Sequence, residues 1–230
     1  MPILSSDEIS KYVGQKVKDI YGREFGLIVN VYTEIDGTVT GIEAIVGKDV
    51  VTLEPSMLRA EDEKVYVLPE WKADAIRIMT LMEKTRRRQR ALEELYGKGD
   101  ISKGMYDEMK RKLDTEALKL KDDYVKLKNK LKSKINEIDD QLLHIEKALA
   151  MLKMNYISNE VPETSYKLSV DALRQSRDAY SLEKDDIRKT LDKMESIDKD
   201  SLDVKPIASA SEKKEEAQFQ MPIPVKVTPS

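Results

Sequence analysis

The residues that could do chemistry in this chain do not form a catalytic pattern. The nearest candidate for a phosphate-binding loop runs from Gly41 to Gly47-Lys48. It has five residues between its glycines where the Walker A motif has four, and Asp49 follows where that motif needs a hydroxyl. We interpret this run as a strand and a turn, and the sequence predicts no catalytic residue and no enzymatic activity.

Metal and redox chemistry have few candidate ligands. The chain has no cysteine and one histidine, His144, which excludes disulfides and Cys- or His-rich metal sites. Acidic pairs such as Asp139-Asp140 and Asp185-Asp186 stand beside basic residues in helical sequence, which is typical of a solvated helix face. We therefore expect no metal site and no cofactor.

One dense basic cluster has two interpretations. Its members are Lys84, Arg86, Arg87, Arg88 and Arg90. It could contact the phosphates of a nucleic acid or a lipid, or it could be a charged helix face that pairs with acidic residues on a neighbouring helix. The second interpretation is favoured, because no aromatic residues are interleaved and the whole chain has a net charge of −3.

The C-terminal segment has the pattern of a docking peptide. In an extended strand its two prolines would lie along one edge, where they offer no N–H group. Ile223, Val225 and Val227 would keep their donors on the other edge and share one apolar face. Such a peptide can add to the edge of a partner's sheet. The predicted partner-binding residues are Pro222, Ile223, Pro224, Val225, Lys226 and Val227.

The composition indicates long solvated helices rather than one large compact core. Of the 230 residues, 36% are charged and 6% are aromatic. No apolar run is long enough to span a membrane, and the N-terminal residues lack the core of a signal peptide. These features favour a cytoplasmic protein.

The first segment, roughly residues 11–68, has the sequence of a small β-barrel. Glycines separate short β-branched runs, and Asp36-Gly37 is a signal for a two-residue hairpin. The last runs stop at Pro55 and Pro69. Five or six short strands in so few residues predict a barrel.

The second segment has the apolar spacing of a coiled coil. It predicts three helices, with breaks at residues 97–100 and at Pro162, and the middle helix covers about 101–157. If both turns are tight, the outer helices fold back along opposite halves of the middle helix. This predicts an antiparallel rod two helices thick, while a compact three-helix bundle is the alternative.

A rod of this kind encloses little core, so a second chain is expected to complete it. The residues predicted to self-associate are Leu113, Leu120, Leu127, Leu131, Ile138, Leu142, Ile145 and Leu149. The predicted fold class is thus a multidomain α+β protein. Its parts are a β domain at 1–69, a coiled-coil rod at 70–198, a disordered linker at 199–217 and a docking peptide at 218–230. Because the whole rod separates the β domain from the tail, we expect the β domain to be dispensable for partner docking but not for higher assembly.

Several segments resemble known families. The N-terminal segment resembles a PRC-barrel over VGQKVKDIYGREFGLIVNVYTEIDGTVTGIEA. The remainder is similar to the CdvA family of archaeal cell-division proteins over LPEWKADAIRIM, KTRRRQRALEELY, MYDEMKRKLD, LKNKLK, LRQSRDAYSLEKDDIRKTLDK and the closing MPIPVKV. The resemblance covers the whole chain except the linker.

The resemblance implies a scaffold that builds from dimers into filaments at the membrane-associated division ring at mid-cell. It also implies that the C-terminal peptide recruits an ESCRT-III-like partner, CdvB, by docking on that partner's winged-helix domain, so that any membrane association is peripheral and indirect. Two alternatives stay open: a DNA-associated structural protein that uses the basic cluster, and a barrel-based RNA-maturation factor, against which the long rod and the docking tail argue.

Overall fold

The computed structural model describes residues 9–61 and 64–201, with side-chain positions as far as residue 198. The predicted docking peptide lies outside these residues, as does the predicted linker from residue 202 onward.

The N-terminal part is a six-stranded curled sheet that forms a half-barrel, which confirms the predicted β domain. The strands are β1 Lys16–Asp19, β2 Glu24–Thr33, β3 Val39–Val46, β4 Asp49–Leu53, β5 Leu58–Glu61 and β6 Lys64–Val67. Their order across the sheet is β4-β3-β2-β1-β6-β5. Neighbours are antiparallel except β1 and β6. Strands β4 and β5 are therefore the two edges.

The hairpin predicted at Asp36-Gly37 is present, but its loop does not have the predicted two residues. The loop between β2 and β3 is longer than a two-residue turn, because the N–H of Glu34 donates to the carbonyl of Thr38 at 2.9 Å and encloses three residues. Only Gly37 has a positive φ, at +83°. Asp36 keeps an ordinary backbone conformation and accepts a hydrogen bond from the N–H of Thr38 at 2.8 Å. This is the three-residue hairpin loop that ends in a left-handed glycine.

Gly26 lies where β2 and β3 approach too closely for a side chain. A Cβ atom there would lie 2.3 Å from the backbone carbonyl oxygen of Ile45. We expect Gly26→Ala to lower the free energy of unfolding by about 2–3 kcal/mol, since the backbone must shift. Gly41→Ala is the control, because its nearest contact would be an ordinary 3.5 Å to Thr52. Equal urea midpoints for the two variants would contradict this account of the sheet.

The rest of the described chain is three long helices, and their breaks confirm the prediction. They are α1 Glu70–Gly97 with 28 residues, α2 Lys103–Ile157 with 55 residues and α3 Glu163–Ser201 with 39 residues. α2 packs antiparallel to both neighbours, so α1 and α3 run in the same direction. The antiparallel coiled-coil rod is confirmed.

The turns at the two ends of the rod are built alike. In each turn the second residue after the end of the preceding helix has a positive φ, Gly99 at +78° and Asn159 at +60°. Each turn is closed by a stacked tyrosine pair, Tyr96 on Tyr106 and Tyr156 on Tyr166, with ring centroids 4.4 and 4.3 Å apart. Both turns are therefore tight enough to fold the outer helices straight back along α2.

The middle of the rod is three helices thick, which the sequence did not predict. α1 and α3 together have more residues than α2, so they overlap for roughly 18 Å at 1.5 Å per residue. The buried cluster of this section is Trp71, Ala75, Ile78, Met82, Tyr124, Leu127, Leu131, Ile138, Ile187 and Met194. The rod is thus a three-helix centre with a two-helix arm on either side.

Candidate interaction surfaces and the sheet–rod joint

The sheet is joined to the centre of the rod by the turn between β1 and β2. Asp19 closes this turn, because its Oδ1 accepts hydrogen bonds from the N–H groups of Tyr21 and Arg23, both at 2.9 Å. Gly22 supplies the positive φ, +88°, that the turn needs. The side chains of Tyr21 and Arg23 reach across to the helices. We call the whole contact the sheet–rod joint: Asp19, Tyr21, Arg23, Trp71, Lys72, Glu183, Asp186 and Thr190.

One half of the joint is centred on Asp186 of α3. Its Oδ2 accepts a hydrogen bond from the Tyr21 hydroxyl at 2.7 Å, and its Oδ1 accepts one from Nζ of Lys72 at 2.5 Å. The same ammonium donates to the hydroxyl of Thr190 at 3.1 Å. Asp186 therefore connects the sheet, α1 and α3 through a single carboxylate.

The other half is centred on Glu183, whose side chain is 4% exposed. Its Oε2 lies 2.8 Å from Nη1 of Arg23, and its Oε1 accepts a hydrogen bond from the indole Nε1 of Trp71 at 3.2 Å. Arg23 also pairs with Asp19 at 2.6 Å and lies over the ring of Tyr180, 5.4 Å from its centroid. A buried carboxylate held in this way depends on the guanidinium opposite it.

The electrostatics of the joint follow from burial and pairing. Burial, and then the hydrogen bond to Asp186, raise the pKa of the Tyr21 hydroxyl well above its ordinary value. Burial disfavours the charged form of Arg23, but its hydrogen bonds to Asp19 and Glu183 outweigh this and raise the pKa of the guanidinium. The joint is therefore held by a neutral tyrosine and a charged arginine.

This geometry corrects one prediction. Asp186 does not lie on a solvated helix face, since its side chain is 26% exposed and bonded to two partners. The β domain contacts α3 at residues 183 and 186, and that helix ends at Ser201. Removing the sheet would leave Glu183 without its arginine, so such a truncation would disturb the rod.

The joint gives the protein a specific pH dependence. Above pH 10, which is the ordinary pKa of tyrosine, the unfolded chain loses a proton from Tyr21 and the folded chain does not. The unfolded state then binds fewer protons, so the free energy of unfolding falls as the pH rises further. We expect Tyr21→Phe to remove part of this fall when urea unfolding is measured between pH 8 and 11. Parallel curves for the two proteins would show that the tyrosine is not held as described.

A groove between α1 and α2 carries positive charge. It has a volume of about 360 Å³, and Leu81 and Leu120 are among the residues that line it. Lys84 and Arg88, one turn apart on α1, face Lys119 of α2 across it, and Glu116 also lines it. We call these residues, with Thr85, the basic groove. Three cations around one acid suit a phosphate or carboxylate ligand.

The predicted basic cluster is divided by the helix. Only Lys84 and Arg88 face the basic groove. Arg87 lies 3.4 Å from Glu83 on its own helix, Arg86 is half-buried and Arg90 is exposed. Among residues 9–61 and 64–198, Lys84, Arg88 and Arg90 form no ion pair with an acidic side chain. Two of the five cluster residues are thus available together in one groove.

The residues predicted to self-associate line the packing inside a single chain. Leu127, Leu131, Ile138 and Ile145 are buried, at 0–5% exposure. Leu113, Leu120, Leu142 and Leu149 are half-buried. In one chain the first four side chains are covered by α1 and α3, so a charge placed at Leu131 would unfold the rod. The other four keep part of their surface accessible to a second chain.

The structure gives the predicted non-catalytic residues ordinary roles. Gly47-Lys48 is a two-residue turn, since Val46 pairs directly with Asp49 and Gly47 has a φ of +63°. In the part of the chain that the structure describes, no group of His, Cys, Asp and Glu could hold a metal ion. No described helix is long and apolar enough to cross a membrane.

We expect no ATP hydrolysis that depends on Lys48. A phosphate-release assay that compares Lys48→Ala with the wild type would show this.

The sheet–rod joint was missed because its members are far apart in sequence. The sequence does contain a signal for the sheet side of the joint, because Asp19 followed by Gly22 has the spacing of a side-chain-capped turn. Nothing in the sequence identified Glu183 or Asp186 as its partners, because acids are common on α3.

Two comparisons with known proteins indicate the same family. The profile of the CdvA-like coiled-coil domain matches residues 70–217. Cell division protein A of Sulfolobus acidocaldarius is 48% identical over 227 residues, which cover 95% of each chain. No solved structure matches.

Proposed function

The chain belongs to the CdvA family, and on this basis we propose that it is a non-catalytic cell-division scaffold that self-assembles at the division site and recruits an ESCRT-III-like protein, CdvB. The observation that carries the proposal is the likeness to Cell division protein A along 95% of both chains. The division of the chain into a sheet, a long rod and a peptide with a strand pattern supports it, since a scaffold needs separate surfaces for assembly and recruitment.

Recruitment is assigned to Pro222, Ile223, Pro224, Val225, Lys226 and Val227, which lie outside the described residues. The support is their pattern, in which one edge lacks N–H donors and the other edge has three donors beside three apolar side chains. The partner surface is the winged-helix domain of CdvB, whose sheet would accept the peptide as an added strand.

The test of recruitment is a calorimetric titration of the winged-helix domain of CdvB. The full chain should bind it, and a chain that ends at residue 217 should not. The described sheet and helices lie within residues 9–61 and 64–201, which both proteins contain, so both should show the same helix content by circular dichroism. Equal binding by the two would overturn the assignment to the peptide.

Self-assembly through the rod needs surface that a single chain leaves accessible, which includes part of the predicted residues Leu113, Leu120, Leu142 and Leu149. α2 presents exposed apolar side chains at Leu118, Leu143 and Met154, with 57%, 49% and 53% of each exposed. They are separated by nearly whole numbers of helical turns and so share one face of α2. We assign this face to a second copy of the chain, and dimers joined through it would be the units of a filament at the mid-cell ring.

Light scattering tests the assignment of this face. Leu143→Glu together with Met154→Glu should shift the protein toward monomer at micromolar concentrations and leave its thermal midpoint unchanged, because both side chains are already half-exposed. Leu131→Asp is the contrasting variant, which should unfold the rod. A wild type that is monomeric at high micromolar concentration would exclude self-assembly.

A second candidate function is DNA-associated structure, and the basic groove favours it. Lys84, Arg88 and Lys119 converge there, and salt-dependent binding to duplex DNA would follow from phosphate contacts. Lys84→Ala with Arg88→Ala should weaken that binding and flatten its salt dependence. The matched control is Arg90→Ala with Lys98→Ala, which lie outside the groove. No difference between the two pairs would exclude the groove as the contact.

A further inference from the structure

Strand β4 is an open edge of the curled sheet. Its register with β3 runs from Val46 opposite Asp49 to Ile42 opposite Leu53. Among residues 9–61 and 64–201, no other strand pairs with β4. One row of its N–H and C=O groups is therefore free to accept a further strand.

The two edges of the sheet differ. β5 carries charged side chains, and Arg59 lies 3.7 Å from Glu61 along that edge. Charge of this kind protects an edge from added strands. β4 has instead Val50, 63% exposed, and Val51, which packs against the core of the sheet but is only half-buried. The unprotected edge is thus also the edge with apolar side chains still to cover.

The side-chain pattern of β4 matches that of the C-terminal peptide. Leu53 is buried on the core face and Val51 is beside it on the same face. The two-residue turn between β3 and β4 directs the N–H groups of Asp49, Val51 and Leu53 toward β3 and leaves those of Val50 and Thr52 on the free edge. A strand added to that edge parallel to β4 would place Ile223, Val225 and Val227 in the same layer as Val51 and cover it.

The chain is long enough to make this contact within one molecule. α3 touches the β1–β2 turn at Asp186, and Ser201 lies about 22 Å further along the helix axis. β4 is three strands from β1, or about 15 Å. The roughly 20 residues between Ser201 and the peptide can span up to about 65 Å when extended.

From the free β4 edge and the one-edged pattern of residues 222–227, we propose that the C-terminal peptide docks on β4 of its own chain as a seventh strand. The docked form cannot offer the same edge to a partner, so the contact is autoinhibitory for recruitment. The inference concerns the peptide of the proposed function, but it rests on the strand pattern and the open sheet edge and not on CdvB.

Amide hydrogen exchange tests it without any partner. The proteins are the full chain and the chain that ends at residue 217, both at low micromolar concentration. We expect the β4 amides that do not bond to β3 to exchange at least about 10-fold more slowly in the full chain. The amides of β5 should exchange equally in both proteins and serve as the internal control.

Two tail variants make the result specific. Val225→Pro removes a donor from the pairing edge and should abolish the protection of β4. Pro224→Ala changes the other edge and should preserve it. Because both changes lie in the tail, neither affects folding of the sheet.

The proposal is overturned if β4 exchanges equally in the full and shortened chains, or if its protection survives Val225→Pro. Protection that grows with protein concentration would overturn it in favour of docking between copies. CdvB is absent from the exchange experiment, so a negative result there does not bear on the recruitment titration. Conversely, a failed titration would not affect the protection of β4.

Discussion

Replacing Arg23 with methionine should lower the free energy of unfolding by about 3 kcal/mol, at the lower end of what is expected when one partner of a buried ion pair is removed. The reason is Glu183, whose side chain is 4% exposed and whose counter-charge is the Arg23 guanidinium at 2.8 Å. The Trp71 indole would remain as a neutral donor to it. Urea unfolding followed by circular dichroism gives the measurement.

A second substitution separates this effect from lost packing. Replacing Glu183 with leucine in the Arg23→Met protein removes the unpaired charge and should recover most of the lost stability. The control is Arg59→Met, which breaks the exposed pair with Glu61 and should change stability by less than about 1 kcal/mol. If Arg23→Met and Arg59→Met cost the same, the sheet–rod joint does not carry the stability assigned to it.

The joint also changes how a truncated chain should be designed. A protein that begins at residue 70 lacks both Tyr21 and Arg23, and thereby deprives Asp186 and Glu183 on α3 of their partners from the sheet. Loss of assembly in that protein would report a damaged rod as well as a missing sheet. Substitution of both acids with apolar residues in the truncated rod would remove this ambiguity.

Val225→Asp should weaken docking of the C-terminal peptide on the winged-helix domain of CdvB by several kcal/mol, because it places a charge in an apolar groove. Val225→Pro should weaken it as well, since it removes a central N–H from the pairing edge. Calorimetric titration of a peptide spanning residues 216–230 measures both changes without any contribution from the sheet or the rod.

The matched control is Pro224→Ala on the opposite edge. It should change the affinity little, apart from a modest loss caused by the greater freedom of the unbound peptide. A larger loss for Pro224→Ala than for Val225→Pro would mean that the edges are assigned wrongly. The peptide would then bind as a polyproline helix or through its side chains alone.

Local signals in the sequence predicted the elements of this fold well. Gly97 and Pro162 mark the helix breaks, because a glycine ends a helix and a proline cannot continue one, and the apolar spacing gave the long middle helix. The hairpin between β2 and β3 was located correctly, but its loop length was wrong, because Asp36 uses its side chain to cap the turn and leaves the positive φ to Gly37.

What could not be predicted depends on contacts between distant residues. The spacing of leucines on α2 does not show whether α1 and α3 or a second chain covers them, and in the structure the chain's own helices do. The joint depends on Tyr21 meeting Asp186, a contact that no local pattern encodes. The same holds for the basic groove, where Lys119 joins Lys84 and Arg88 from another helix.

The uneven thickness of the rod has a mechanical consequence. A bundle of three helices resists bending far more than a pair, because stiffness rises steeply with cross-section. Under a sideways load the curvature would therefore concentrate in the two arms, while the centre, which also carries the sheet through Glu183 and Asp186, stays straight. If the molecules assemble as proposed, each sheet would mark a rigid segment and each pair of arms a more flexible one.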